Sequence, residues 1–284
     1  TFRPTKPIFR PAQDCAQFSQ QTNNMKFDEL GLSDPLLNAI TDAGYESPTP
    51  IQAEAIPHLL MGRDIVGIAQ TGTGKTASFT LPMIEILATG RARARMPRSL
   101  ILEPTRELAA QVAANFETYG KNHKLNMALL IGGVSFSDQE DKLNRGVDVL
   151  IATPGRLIDH FERGKVLLAD IKVLVVDEAD RMLDMGFIPD VEKIIKLLPP
   201  IRQTAMFSAT MPSEIKRLTD SYMMNPRTVQ VDAAASAAET VTQGLLRVNG
   251  GFAEKRAALR KLVRATKVKN AIVFCNRKRD VATL

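Results

Sequence analysis

The chain has 284 residues, a formal net charge of +6 and a pI near 9.4, and 44% of its residues are hydrophobic. That length holds one large or two ordinary domains with a sizeable core. No apolar run approaches the ~20 residues of a membrane-spanning helix, and residues 1–24 lack the apolar stretch of a secretory signal. Cys15 and Cys275 stand near opposite ends, so neither a disulfide framework nor a cysteine metal site is expected, and the reducing cytoplasm is the expected compartment.

Residues 1–24 are rich in Pro, Gln, Thr and Asn without a period and are expected to be a disordered extension. Met25 directly precedes the first patterned sequence and is a candidate natural start. Ser33-Asp34-Pro35 reads as a helix start with Ser33 as N-cap, Leu36, Leu37 and Ile40 as its apolar face and Gly44 as its stop. After Tyr45-Glu46-Ser47-Pro48-Thr49-Pro50-Ile51-Gln52, a second helix runs through Ile56 and Leu60.

Next comes an apolar run at 65–68 and then Ala69-Gln70-Thr71-Gly72-Thr73-Gly74-Lys75-Thr76, followed by a helical stretch. A strand, a glycine-rich turn ending in Gly-Lys-Thr and a helix form the context of a phosphate-binding loop. The turn exposes backbone N–H groups at a helix N-terminus. Lys75 brings a point charge for the β- and γ-phosphates, and Thr76 a hydroxyl for Mg²⁺. Ala69 stands where the pattern usually has its first glycine. A turn of this composition that binds nothing is the alternative.

Further strand candidates lie at 99–103, 127–131, 147–152, 173–176, 205–208 and 228–231, with helical stretches between them. Continuous apolar strands alternating with helices predict a parallel sheet buried on both faces, an α/β fold. The strand at 173–176 runs into Asp177-Glu178-Ala179-Asp180. Acids at the carboxyl end of a buried strand stand where an α/β sheet holds its ligand. Beside a phosphate loop, Asp177 suits the Mg²⁺ shell and Glu178 a general base for the attacking water. The same acids would also serve as an N-cap cluster for the helix that follows.

Two basic clusters stand out, Arg91, Arg93, Arg95 and Arg98, and then Arg264, Lys267, Lys269, Arg277, Lys278 and Arg279. Either is a candidate polyanion contact or a solvated face. Small and polar residues at 233–243 read as a linker. Beyond it a strand candidate at 245–248, a basic amphipathic helix at 253–265 and a strand candidate at 271–274 look like the opening of a second α/β domain at 244–284, after a first domain at 25–232.

With these motifs in hand, the chain resembles the DEAD-box family of ATP-dependent RNA helicases, most closely the bacterial ones, from about Lys26 onward. The string Asp177-Glu178-Ala179-Asp180 is the family signature. Phe27, Gly44 and Pro48-Thr49-Pro50-Ile51-Gln52 look like the adenine-sensing motif with its upstream aromatic. Pro104-Thr105-Arg106-Glu107-Leu108-Ala109, Gly132-Gly133 and Thr153-Pro154-Gly155-Arg156 look like the RNA-contacting motifs of the first lobe. Ser208-Ala209-Thr210 looks like the motif that couples hydrolysis to unwinding, and Ile272-Val273-Phe274-Cys275-Asn276 like the first motif of the second lobe.

The resemblance implies a RecA-like lobe, ATP and Mg²⁺ as ligands, and Lys75, Asp177 and Glu178 as the catalytic set. Gln52 would read the adenine edge through its amide, and Phe27 would stack on the ring. Asp180 would meet Ser208 and Thr210. Arg106 and Arg156, with the amides of Gly133 and Gly155, would hold successive phosphates of one RNA strand, without sequence preference and with strong salt dependence. Outside that resemblance, the same loops read as ordinary turns. RNA-processing or ribosome-assembly proteins are the implied partners.

The family's remaining second-lobe motifs lie outside these 284 residues. They include arginines that reach the γ-phosphate, a contribution worth roughly 10³–10⁵ in rate. Weak hydrolysis and no unwinding are therefore expected of this chain by itself. The rival expectation is an ATP-gated module that binds RNA or protein without turnover. An NTPase acting on DNA is a third, less consistent with the adenine-sensing and Asp-Glu-Ala-Asp strings.

Overall fold

A computed structural model describes residues 25–231, 244, 246–265, 270–275 and 277–283. The expected extension at 1–24 and the expected linker at 233–243 lie outside the described residues. The chain divides into two compact units, with the division between Ala233 and Ala234.

The first unit opens with a 3₁₀ turn, Phe27–Leu30, and helices α1 (Asp34–Asp42) and α2 (Pro50–Leu60). Ser33 occupies the N-cap of α1, yet its side chain makes no cap bond; its backbone N–H donates to Glu85 Oε2 at 3.0 Å. Strands and helices then alternate: β1 (Ile65–Ile68), α3 (Lys75–Leu87), β2 (Ser99–Leu102), α4 (Arg106–Tyr119), β3 (Met127–Leu130), α5 (Phe136–Arg145), β4 (Val149–Ala152) and α6 (Pro154–Glu162). They continue as β5 (Val173–Val176), α7 (Ala179–Asp184), α8 (Ile188–Leu197), β6 (Gln203–Ser208), α9 (Ser213–Tyr222) and β7 (Arg227–Gln230). The seven strands form one sheet in the order β3-β4-β2-β5-β6-β1-β7, every neighbouring pair parallel.

Side chains of a strand alternate between faces, and the core follows that period. Ile65, Ile101, Val149, Ile151, Val173, Val175 and Phe207 pack with α1–α4 on one face. Val66, Leu100, Leu102, Leu150, Leu174, Val176 and Met206 pack with α5–α9 on the other. Central strands apolar on both sides need this two-sided cover. Each fully buried Leu, Ile or Val there contributes about 1.5–3 kcal/mol of transfer free energy.

Asp64 closes one end of the sheet: its carboxylate accepts the N–H of Thr204 and of Met224, each at 2.7 Å. Among the described residues no helix is long and apolar enough to cross a membrane.

In the second unit the expected basic helix is present as α10 (Phe252–Ala265), and a short α11 (Lys278–Thr283) follows. Residues 246–248 and 271–274, expected as strands, are irregular, and Leu245 lies outside the described residues. An extended apolar segment becomes a strand only through ladder hydrogen bonds, and neither segment has such a partner among the described residues.

Candidate nucleotide and RNA site

Sheet order sorts the chemistry. The loops after β1, β5 and β6 carry the Gly-Lys-Thr turn, the Asp-Glu-Ala-Asp string and Ser208-Ala209-Thr210, and these strands are neighbours. The loops after β2, β3 and β4 carry Pro104 to Arg106, Gly132-Gly133 and Thr153 to Arg156, and these strands are neighbours too. In a parallel sheet all six loops open at one edge, the carboxyl edge, where such folds bind ligands.

At the first group of loops lies a cleft of about 380 Å³, lined by Gln52, Thr71, Gly72, Gly74, Lys75, Thr76, Asp177 and Glu178. The size is ordinary for a small-molecule site. Gly74 stands at φ +93°, in the left-handed region. A Cβ there would lie 2.4 Å from Gln52 Nε2 and 2.9 Å from Thr49 Oγ1. Gly74→Ala is therefore expected to lower nucleotide affinity at least tenfold while the sheet stays folded; titration with a fluorescent ADP, alongside a thermal melt, checks both.

Gln52 is 2% exposed. Its Nε2 donates to Gly74 O at 3.1 Å, and its Oε1 accepts the Thr49 N–H at 3.0 Å. An amide carries two hydrogens and two acceptor positions, so one donor and one acceptor remain for a base edge. Phe27 is elsewhere: it is 7% exposed, packed in the core, and does not line the cleft. It belongs to the same buried cluster as Leu30, Leu36 and Ile51, so the expected stacking on a base is not visible in the cleft lining. Of the two tyrosines that line the cleft, Tyr45 and Tyr119, the exposed one is Tyr45, at 47%. It meets Tyr119 edge-on at 6.1 Å between centroids, and the Tyr119 hydroxyl donates to its oxygen at 3.2 Å. The Thr73 hydroxyl donates to Gln70 O at 2.7 Å, closing the phosphate turn on itself.

Lys75 Nζ donates to Glu178 Oε1 at 2.9 Å, with the two side chains 5% and 12% exposed. Glu178 sits at φ 51°, ψ 48°, a left-handed conformation unusual for a side-chain-bearing residue and typical of strained functional positions. Its N–H donates to Asp177 Oδ1 at 2.9 Å. Burial pushes the Asp177 carboxyl up to about 7, against the pull of Lys75. Thr76 and Asp177 offer hard oxygen donors, the chemistry that suits Mg²⁺. Among the described residues no group of three or more His, Cys, Asp or Glu is arranged to hold a metal by itself.

Behind the cleft, the Asp180 N–H donates to Ser208 Oγ at 3.1 Å. Thr210 donates to Asp180 Oδ2 through its N–H at 2.9 Å and its hydroxyl at 2.8 Å. Burial raises the Asp180 carboxyl, but the hydrogen bonds from Thr210 and Ser208 outweigh it and hold it below the ordinary range. The phosphate loop joins the same network, since the Ala69 N–H donates to Ser208 O at 3.0 Å.

On the other group of loops, Arg106 is exposed and its Nη1 donates to Gly132 O at 3.4 Å. A Cβ on Gly133 would come within 2.6 Å of that Nη1. Arg156 is held from three sides. It lies 3.3 Å over the Phe136 ring, its Nη2 donates to Val134 O at 2.7 Å, and its Nε donates to Gln139 Oε1 at 3.1 Å. Thr105 and Thr153 stand at the N-caps of α4 and α6, Gly155 is exposed, and Pro104 and Pro154 are buried.

Several residues that matter here carry little signal in the sequence. Tyr45 stands in a stretch that reads only as a connection between helices. Glu103 reads as the end of a strand, and a charge abutting the run Ser99–Leu102 is its one signal. Phe136 and Gln139, which fix Arg156, carried none. Arg98, grouped with a candidate polyanion surface, is instead 5% exposed and paired with Asp148 at 2.7 Å.

The sequence profile of DEAD/DEAH box helicases matches residues 49–218. The ATP-dependent RNA helicase DeaD of Escherichia coli (strain K12) is 44% identical over 253 residues, 89% of this chain and 39% of that protein. The ATP-dependent RNA helicase CshA of Limosilactobacillus reuteri is 45% identical over 260 residues, 92% of this chain and 51% of that protein. Among solved structures, a DEAD box protein from Methanococcus jannaschii superposes with a TM-score of 0.69 at 39% identity, over 91% of this chain and 68% of that one. The chain thus spans 39% to 51% of the length of these two curated relatives.

Proposed function

Because the chain belongs to the DEAD/DEAH box helicase family, we propose that it is the nucleotide-binding lobe of an ATP-dependent RNA helicase, using ATP with Mg²⁺ and gripping RNA by its backbone. The observation that carries the reading is the meeting of Lys75 and Glu178 at 2.9 Å, across two loops of one sheet edge.

The adenine edge is read by the remaining donor and acceptor of Gln52, and Tyr45, not Phe27, offers the ring face. The amides of the Gly72–Lys75 turn and the start of α3 hold phosphate oxygens. Lys75 exchanges its Glu178 partner for the β- and γ-phosphates, which leaves the Glu178 carboxylate to orient a water and take its proton as the terminal P–O bond breaks. Thr76 and Asp177 would hold the metal, whose charge would offset that of the phosphates. Gln52 and Asp180 tie base and phosphate recognition to the neighbouring loops through Gly74, Ser208 and Thr210.

Arg106 and Arg156, with the amides around Gly133 and Gly155, form the backbone-binding half. Arg156 is already oriented by Phe136 and Gln139, so little side-chain freedom is lost when it meets a phosphate. Selection of RNA over DNA would come from the 2′-hydroxyl. RNA-processing or ribosome-assembly proteins remain the partners we favour.

The test is adenine-nucleotide binding and steady-state ATP hydrolysis by this chain, with and without single-stranded RNA at two salt concentrations. We expect Mg²⁺-dependent adenine binding, RNA binding that weakens steeply with salt, and hydrolysis close to background. Failure to bind adenine nucleotide overturns the reading. Strong stimulation by RNA would instead show that the lobe needs no arginine from beyond these residues.

A further inference from the structure

Glu103 has no task in the scheme above. It follows β2 directly, at the seam where the nucleotide loops and the RNA loops meet, since β2 and β5 are neighbours. The ladder sets it level with Asp177: Leu102 pairs with Val176, and the Asp177 N–H donates to Leu102 O at 3.1 Å. Its side chain is 0% exposed, yet it lines the cleft beside Lys75, Thr76, Asp177 and Glu178. Neither Oε1 nor Oε2 has a hydrogen-bond partner among the described residues.

A buried carboxyl with both oxygens unpaired is costly, and such a cost persists where a ligand completes the site. Burial first, then the nearby charges of Asp177 and Glu178, push this carboxyl well above its ordinary range, with Lys75 pulling the other way. The neighbouring acceptors are partly taken: Asp177 Oδ1 receives the Glu178 N–H, and Glu178 Oε1 receives Lys75. Mg²⁺ dehydrates reluctantly and keeps several waters when it binds through phosphates and one or two carboxylates. Each of those waters brings O–H donors that need acceptors inside a closed cleft.

We propose that Glu103 is an acceptor for the water shell of the bound magnesium ion, a positioning residue that fixes the ion through water and not by direct ligation. The proposal rests on the nucleotide–Mg²⁺ reading of the cleft. It also explains why a carboxyl is tolerated at this depth, one residue before the Pro104-Thr105-Arg106 turn.

Glu103→Gln keeps the shape and one acceptor; Glu103→Ala keeps none. The readouts are Mn²⁺ binding followed by electron paramagnetic resonance in the presence of ADP, the affinity for fluorescent ADP in excess Mg²⁺ and in EDTA, and thermal unfolding of the nucleotide-free chain. We expect Mn²⁺ affinity to fall about 10–100-fold in the Ala variant and less in the Gln variant. ADP affinity in EDTA should stay unchanged, and the nucleotide-free melting temperature should hold or rise. Wild-type Mn²⁺ affinity in both folded variants overturns the proposal. If ADP binding by the unaltered chain is indifferent to metal, the reading of the cleft fails and takes the proposal with it; if the unaltered chain responds and the variants match it, only the role of Glu103 fails.

Discussion

Glu178→Gln is expected to leave ATP bound and to slow its hydrolysis by about 10²–10⁴-fold, the usual contribution of a positioned general base. The change preserves the side chain's shape and the left-handed backbone at φ 51°, so the loop that presents Asp177 and Asp180 keeps its form. What it removes is the negative partner of Lys75, now 2.9 Å from Nζ. In the unaltered chain an incoming phosphate must draw Lys75 away from that partner. In the variant Lys75 has no carboxylate to leave, so affinity for ATP is expected to hold or to improve. A role in binding alone predicts the opposite pattern, weaker affinity with hydrolysis reduced only at subsaturating ATP. Single-turnover hydrolysis with enzyme in excess registers even the slow rate expected of this chain, and titration with fluorescent nucleotide gives the affinity. Wild-type single-turnover rates would remove Glu178 from the chemistry.

What could be read in advance was chemistry carried by contiguous residues. The Gly72 to Thr76 turn, the Asp177 to Asp180 string and Ser208 with Thr210 each sit in one loop, and a parallel sheet brings the ends of its strands to one edge whatever the strand order. The strands were legible because burial on both faces demands continuous apolar runs, as in Val173–Val176. Periodicity reports which residues are inside and says nothing about which partners they meet there. The sequence pattern marks Phe27 as a base contact, while packing in the first helical layer buries it to 7% exposure, a depth that no periodicity announces. Arg98 stood in a run of arginines that resembled a solvated face, while its partner Asp148 lies 50 residues along the chain. The support of Arg156 by Phe136 and Gln139 was invisible for the same reason, since the contacts span 17 to 20 residues across a strand. At the other end of the chain, apolar patterning at 271–274 suggested a strand, but ladder partners, not patterning, make one.

The largest loss of stability is expected from Asp148→Ala, about 3–5 kcal/mol, the range for leaving one member of a buried ion pair uncompensated. Asp148 is 4% exposed and Arg98 5%. One carboxylate oxygen accepts from Arg98 Nε at 2.8 Å and from the Ala92 N–H at 3.1 Å, and the other accepts the Asn126 N–H at 2.9 Å. Arg98 in turn donates to the carbonyls of Thr89 at 2.5 Å and Leu87 at 2.7 Å, fastening the end of α3 to the start of β2. Removing the carboxylate strands a buried guanidinium and two backbone donors at once. By contrast, Asp42→Ala breaks the Lys121 pair, whose side chains are 42% and 63% exposed, and is expected to cost at most about 1 kcal/mol because solvent already screens that interaction. Replacing both members, as Arg98→Met with Asp148→Leu, removes the stranded charge and is expected to recover much of the loss, although the backbone donors of Ala92 and Asn126 stay unpaired. Urea unfolding of the four proteins gives the differences directly. A loss below about 1 kcal/mol for Asp148→Ala would mean that water reaches Arg98, and the arginine cluster between α3 and β2 would again stand as a candidate surface for polyanions.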